Sequence, residues 1–206
     1  MTVLDRLATA LNRRDEVPNV ELAKFIVRTK DLNAVNELVD NLSNKDTHIQ
    51  SDCIKVLYEV GMSEPFLISG YHKEFGKLLE SKNNRIVWGA MTALDSIALA
   101  EPKGVYNFLP TILAVADTGS VISRDHAVGI LIKLGTLKQY AAKCVPLVIE
   151  QLKACLNNQF PMYAEMAVGL ATGRHKDSFQ RVMASRLKSL EKESQKKRVQ
   201  KVLRHL

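Results

Sequence analysis

Four stretches decide the fold: Cys53-Ile54-Lys55-Val56-Leu57-Tyr58-Glu59-Val60, Ala90-Met91-Thr92-Ala93-Leu94-Asp95-Ser96-Ile97, Ala127-Val128-Gly129-Ile130-Leu131-Ile132-Lys133-Leu134 and Ala164-Glu165-Met166-Ala167-Val168-Gly169-Leu170-Ala171. They lie 37 residues apart. A small residue opens each, and apolar residues follow three, four and seven positions later. That spacing is the stripe of an amphipathic helix. Its recurrence at a fixed period marks a stacked repeat, in which each unit buries its apolar face only against its neighbours.

Each period holds a second pattern of the same kind. Val35, Leu38, Val39 and Leu42 form one stripe, and Phe75, Leu78 and Leu79 the next. Leu109, Ile112, Leu113 and Ala116 follow, then Val145, Ile149, Leu152 and Leu156. The breaks between partner helices are Ser43-Asn44-Lys45-Asp46, Ser81-Lys82-Asn83-Asn84, Asp117-Thr118-Gly119-Ser120 and Asn157-Asn158-Gln159. Such clusters carry turn chemistry. Pro65, Pro102, Pro110, Pro146 and Pro161 are expected at or near helix ends. Gly61 and Gly135 are expected to terminate their helices. Leu4, Leu7 and Leu11, with Ala23 and Val27, predict an irregular first pair. Phe179, Val182, Met183, Leu187 and Leu190, with Val199, Leu203 and Leu206, predict an irregular last one. The expectation is an all-α superhelix of about six antiparallel helix pairs. It is one domain over 1–206, with atypical capping repeats at 1–31 and 177–206.

Ile86-Val87-Trp88-Gly89-Ala90-Met91-Thr92-Ala93-Leu94 resembles the second helix of a HEAT-like, armadillo-type repeat, whose V-x-x-A-x-x-A-L core recurs once per unit. Ser123 to Leu131 resembles it too. The resemblance covers nearly the whole chain and implies a right-handed stack whose second helices line a concave side. The tetratricopeptide unit, at roughly 34 residues, is shorter, and its Trp-Leu-Gly-Tyr signature is absent. Most proteins of this kind are scaffolds and adaptors. A few are DNA glycosylases, bilin lyases or a di-iron hydroxylase. The hydroxylase carries paired His-Glu motifs, and this chain has no His-Glu dipeptide. A glycosylase-like role would cast Trp88, Asp95 and Asp125 in a basic groove, yet the body of the chain is neutral.

Charge is segregated. Residues 174–206 hold 11 Lys or Arg against 3 Asp or Glu, a balance of +8, while residues 1–173 hold 18 against 19. Lys192, Lys196, Lys197, Arg198 and Lys201 are the candidate anion-binding residues, for nucleic acid in particular. The alternative is a solvated face of the last helix pair. No aromatic is interleaved with these charges, which weighs against single-strand binding. The three cysteines, Cys53, Cys144 and Cys155, contain no C-x-x-C spacing and sit in helical contexts, so reduced thiols in the cytoplasm are expected. No run of apolar residues is long enough to span a membrane. Residues Met1 to Arg6 show no basic start leading into an apolar stretch, so no secretory signal is expected.

With Cys53, Leu57 and Val60 facing inward, positions 51, 52, 55, 58 and 59 face out. Adding 37 gives the rows Ser51, Trp88, Asp125, Met162; Asp52, Gly89, His126, Tyr163; Lys55, Thr92, Gly129, Met166; and Tyr58, Asp95, Ile132, Gly169. Tyr58, Trp88, Asp125, His126, Met162, Tyr163 and Met166 are therefore the candidate partner-binding residues, since Trp and Tyr anchor binding hot spots and Met suits adaptable surfaces. Two readings are open: a peptide groove centred on Trp88, His126 and Tyr163, or side chains packed between neighbouring rungs as additional core. Asp125 beside His126 reads as helix-start chemistry. No histidine has a metal-ligand spacing, and neither a nucleophile elbow nor a phosphate loop occurs. No cofactor or metal is expected, and the function is read as non-catalytic. The expected partner is another protein or a peptide. Nucleic acid at the basic C-terminus is the alternative, and self-association through an open end is a third option.

Overall fold

The computed structural model describes residues 2–206. Among the described residues there are twelve α-helices and no strand. In chain order they are α1 (Val17–Thr29), α2 (Leu32–Asp40), α3 (Thr47–Ser63), α4 (His72–Leu78), α5 (Asn84–Ile97) and α6 (Pro102–Asn107). Then come α7 (Leu109–Thr118), α8 (Val121–Gly135), α9 (Lys138–Ala154), α10 (Phe160–Ala167), α11 (Lys176–Ser189) and α12 (Glu193–His205). None is long and apolar enough to cross a membrane. The chain divides into two compact units, Met1–Ala127 and Val128–Leu206, and the division falls within α8.

The turn clusters start helices as their chemistry requires. Asp31 accepts from the Ala34 amide at 3.0 Å, Asp46 from His48 at 2.8 Å and Asn83 from Arg85 at 3.0 Å. Each satisfies a backbone donor that the first helical turn leaves open. The small residues of the repeat lie in the core: Cys53, Ala90 and Ala164 are 0% exposed and Ala127 is 2%. Leu57, Leu94, Leu131, Val60, Ile97 and Leu134 are buried with them. In the first unit α3 packs between α1 and α5, with α2 and α4 alongside. In the second, α9 packs on α10 and α11, and α12 on α10 and α11.

The structure corrects several local expectations. Gly61 lies within α3, two residues before its end, whereas Gly135 is the last residue of α8 as expected. Gly61 is small because of packing: a Cβ there would stand 2.3 Å from Ser96 Oγ and 2.5 Å from Ile68 Cδ1. The N-terminal first helix is reduced to a 3₁₀ turn at Val3–Arg6, started by a Thr2–Asp5 capping box. Leu7 is buried there, but Leu11 is half exposed, just before a left-handed turn at Asn12. On α12 the buried residues are Val199 and Val202, with Leu203 and Leu206 half-buried.

Pro146 sits inside α9 rather than near an end. Its register explains this. One period earlier stands Leu109, the first residue of α7, just after α6. The units beginning at Pro65 and Pro102 thus carry a short helical element ahead of the expected pair, at Pro65–Leu67 and in α6. In the following period that element and its successor are fused into the single helix α9. Pro146 occupies the position of that join.

Candidate functional site

The first unit holds a cleft of about 550 Å³. Its floor comes from the two stacked second helices: Ser51, Lys55 and Tyr58 of α3, and Arg85, Trp88 and Thr92 of α5. Its wall is the irregular segment 8–16, and Ile122 of α8 reaches its edge.

The wall is pinned by two buried or half-buried polar side chains. Asn19, 1% exposed on α1, accepts from the Ala8 amide at 3.0 Å and donates to Asp52 Oδ1 at 2.8 Å. Asp52 Oδ2 accepts from the Thr9 amide at 2.7 Å. The segment then closes on itself. Arg13 forms a forked pair with Asp15, both bonds 2.9 Å, and Asp15 also accepts from the Val17 amide at 3.0 Å. The Arg13 guanidinium holds the Asp15 carboxyl below its ordinary range.

Lys55 joins wall to floor. Its ammonium lies 2.9 Å from Glu16 and 2.7 Å from Glu59, and 4.8 Å over the Tyr58 ring. Burial disfavours this charge, but hydrogen bonds to Glu59, Tyr58 and Glu16 outweigh it and hold the ammonium above the usual lysine range. Burial likewise pushes the Tyr58 phenol up. The cation is therefore a fixed part of the floor.

Beside the floor lies a polar trio. His126 Nδ1 stands 2.9 Å from Asp95 Oδ2, and Nε2 stands 2.9 Å from Thr92 Oγ1. The Thr92 hydroxyl donates to the Trp88 carbonyl at 2.8 Å. Both ring nitrogens are partnered, so the imidazole is held in one orientation between α8 and α5.

The candidate residues from the sequence therefore separate. Tyr58 and Trp88 line the cleft, each half-buried. His126 does not: it joins α8 to α5. Asp125, half-buried at the fifth position of α8, also lies outside the cleft lining. In the second unit Met162 is half-buried and Met166 exposed on α10. Tyr163 is a correction, being 1% exposed, with a hydroxyl that accepts from Gln159 Nε2 at 2.9 Å. The row to which it belongs is a seam. In the first unit Asp52 reaches Asn19 of α1, and Gly89 lies so close to α3 that a Cβ would stand 2.6 Å from Ile54. His126 in turn reaches α5. In the first unit, side chains at this angle reach toward the preceding second helix.

The basic candidates also separate. Arg198 makes a forked pair with Glu165 at 2.8 and 2.6 Å, and Lys196 lies 2.8 Å from Glu193. Among the described residues Lys192, Lys197 and Lys201 have no ion-pair partner. Arg186, in the sequence one of the C-terminal basic residues that could attract an anion, instead donates its guanidinium to the carbonyls of Leu152 (3.0 Å), Lys153 (2.6 Å) and Cys155 (2.8 Å) and stacks 4.7 Å over Phe160. It caps the C-terminal end of α9. Sequence reasoning missed the cleft wall. The one signal for it was Asn19, a polar residue in step with the apolar stripe of Leu22, Ala23 and Ile26 on α1.

Solved structures resemble the whole chain. An engineered protein from a structural genomics consortium aligns with a TM-score of 0.68 at 17% identity, covering 100% of this chain and 96% of its own. A designed armadillo repeat protein in complex with the peptide (KR)4 aligns at 0.67 and 16% identity, covering 90% and 85%. A computationally designed armadillo repeat protein for modular peptide recognition aligns at 0.68 and 15%, covering 90% and 86%. The fold is the armadillo-type helical repeat. The sequence itself matches no protein-family model and no curated protein.

Proposed function

We propose that this armadillo-type chain is a non-catalytic interaction protein whose first-unit cleft binds an extended peptide segment of a partner. One observation carries the reading. The only tryptophan of the chain stands half-buried on the floor of a 550 Å³ cleft, between the braced Lys55–Tyr58 pair and a pinned wall. A half-buried indole on a rigid floor is the kind of anchor that dominates interfaces. Rigid walls also reduce the ordering cost of binding. The designed armadillo neighbour for modular peptide recognition supplies an analogy for peptide binding. Tyr58 and Trp88 are the contact residues in this reading. Three free cysteines, two sealed in the core, fit a reducing compartment such as the cytoplasm.

The test uses the tryptophan itself. A randomised peptide library is selected on the purified protein, and each hit is titrated against Trp88 emission. Saturable emission changes that vanish in Tyr58→Ala are the expected result. Hits that bind with unchanged emission, and equally well to Trp88→Ala, would overturn the reading.

A second reading rests on Lys192, Lys197 and Lys201, which form no salt bridge among the described residues and could meet phosphates. Duplex or single-stranded nucleic acid retained at 50 mM salt, released by about 200 mM, and lost in the triple Glu variant would support it.

A further inference from the structure

We infer that the partner segment of this cleft is acidic. The inference rests on the peptide-cleft reading and adds the chemistry of the occupant. It follows from which charges in the cleft are already used. Asp15 is gripped by Arg13 through two bonds of 2.9 Å. Glu16 is held by Lys55 at 2.9 Å. Asp52 receives the Thr9 amide at 2.7 Å and Asn19 at 2.8 Å. All three carboxylates that line the cleft thus have protein donors, and these same contacts fasten the wall. A cationic side chain arriving in the cleft would have to compete with them.

The cations divide differently. Lys55 lies between Glu16 and Glu59, and Arg13 is spent on Asp15. Arg14 on the wall and Arg85 on α5 are exposed, line the same cleft as Trp88, and have no ion-pair partner among the described residues. Their guanidinium forks match carboxylates in two-bond geometry. The two charged side chains of the cleft left without a partner among the described residues are therefore both arginines, and they share its lining with an apolar anchor. A segment with Asp or Glu flanking a residue that lies on Trp88 satisfies both arginines without disturbing the wall. This is the opposite charge preference from the (KR)4 peptide held by the designed neighbour.

The experiment compares three eight-residue peptides, (ED)4, (ST)4 and (KR)4, and a single-stranded oligonucleotide of eight adenines. Each is titrated into the full chain with Trp88 emission as the readout, at 50 and 300 mM salt, and again with Arg14→Glu/Arg85→Glu. Both substituted residues are exposed, and circular dichroism checks that the double variant keeps its helicity. The expected result is (ED)4 binding about tenfold tighter than (ST)4, with (KR)4 weakest. Added salt weakens (ED)4 severalfold, and the double variant loses the preference or reverses it. Binding of (KR)4 or (ST)4 as tightly as (ED)4 with a change in Trp88 emission overturns the acidic assignment while leaving the cleft reading intact. Binding of (ED)4 that the double variant does not alter also overturns it. Tighter binding of the oligonucleotide than of (ED)4 reassigns the arginines to phosphate and overturns the proposal. No response of Trp88 to any probe overturns the cleft reading and the proposal together.

Discussion

Adding one methyl group at Gly89 tests the seam that holds the cleft floor together. Gly89 lies inside α5 with ordinary helical backbone, and the helix gains about 0.8–1 kcal/mol when a glycine becomes alanine. The new Cβ would stand 2.6 Å from Ile54 Cγ1 and 2.8 Å from Cγ2. Ile54 is 2% exposed, so it has nowhere to swing. Overpacking of this kind costs about 1–3 kcal/mol. Overpacking exceeds propensity, and the net change is a loss of about 1 kcal/mol, or about 2–4 °C in Tm for a chain of this size. Denaturant melts followed by circular dichroism at 222 nm measure it. A cycle with Ile54→Ala isolates the contact. Ile54→Ala alone costs about 2–5 kcal/mol, and in the Gly89→Ala background it costs about 1–2 kcal/mol less, because the methyl enters the vacated space. A rise in stability for Gly89→Ala, or strict additivity in the cycle, would refute the close approach of α3 and α5 and the seam derived from it.

Other outcomes follow from single contacts. Arg186→Lys removes the fork that gathers three carbonyls at the end of α9, and chemical denaturation should show a loss of about 1.5–3 kcal/mol. Burial pushes the Cys53 thiol up to about 12 and the Cys144 thiol up to about 11, so at pH 8 a disulfide reagent should label the folded chain first at half-buried Cys155, and all three only after unfolding. Arg198 holds the Glu165 carboxyl below its ordinary value, which makes its folded pKa lower than its unfolded one. That pair therefore stabilises the fold above about pH 4.5 and loses its contribution as pH falls through the lowered value. Because both partners are largely exposed, Arg198→Ala should lower Tm at pH 7 only slightly and should reduce the difference in Tm between pH 7 and pH 3.

The core was legible because its pattern is local. A stripe at three- and four-residue spacing identifies a helix face whatever it packs on, and a constant period transfers the face from unit to unit. Ala90, Ala127 and Ala164 could be placed inside on that ground alone. The neighbouring rows were not legible in the same way. Position 52 is one residue from Cys53, about 100° around the helix, and that angle is solvent-facing or seam-facing according to how closely the next helix approaches. The approach is set by Gly89, whose missing side chain looks in the sequence like a terminator or a flexible point. Tyr163 at that angle is buried, while Tyr58 and Trp88, further round, line the cleft. Pro146 and α6 were missed because the period carries an additional helix start that only the proline at each join betrays.

Thr92, His126 and Asp95 stand in the hydroxyl, imidazole and carboxylate order that nucleophilic catalysis uses. Their bonding argues for packing instead. A nucleophile presents its hydroxyl to a substrate, whereas half-buried Thr92 holds its hydroxyl between the Trp88 carbonyl, one turn earlier in α5, at 2.8 Å and His126 Nε2 at 2.9 Å. His126 then reads as the polar counterpart of Gly89 one period on: a seam residue that fastens α8 to α5 as Gly89 lets α5 lie against α3. Each second helix thus carries three lengthwise rows with separate duties: an apolar row for the core, a seam row at Asp52, Gly89 and His126, and a floor row at Ser51, Lys55, Tyr58 and Trp88. In the proposed reading the floor row meets the partner together with Arg14 and Arg85, two exposed side chains with no ion-pair partner among the described residues, so exchanging those two arginines should change what the cleft selects while leaving the stack intact.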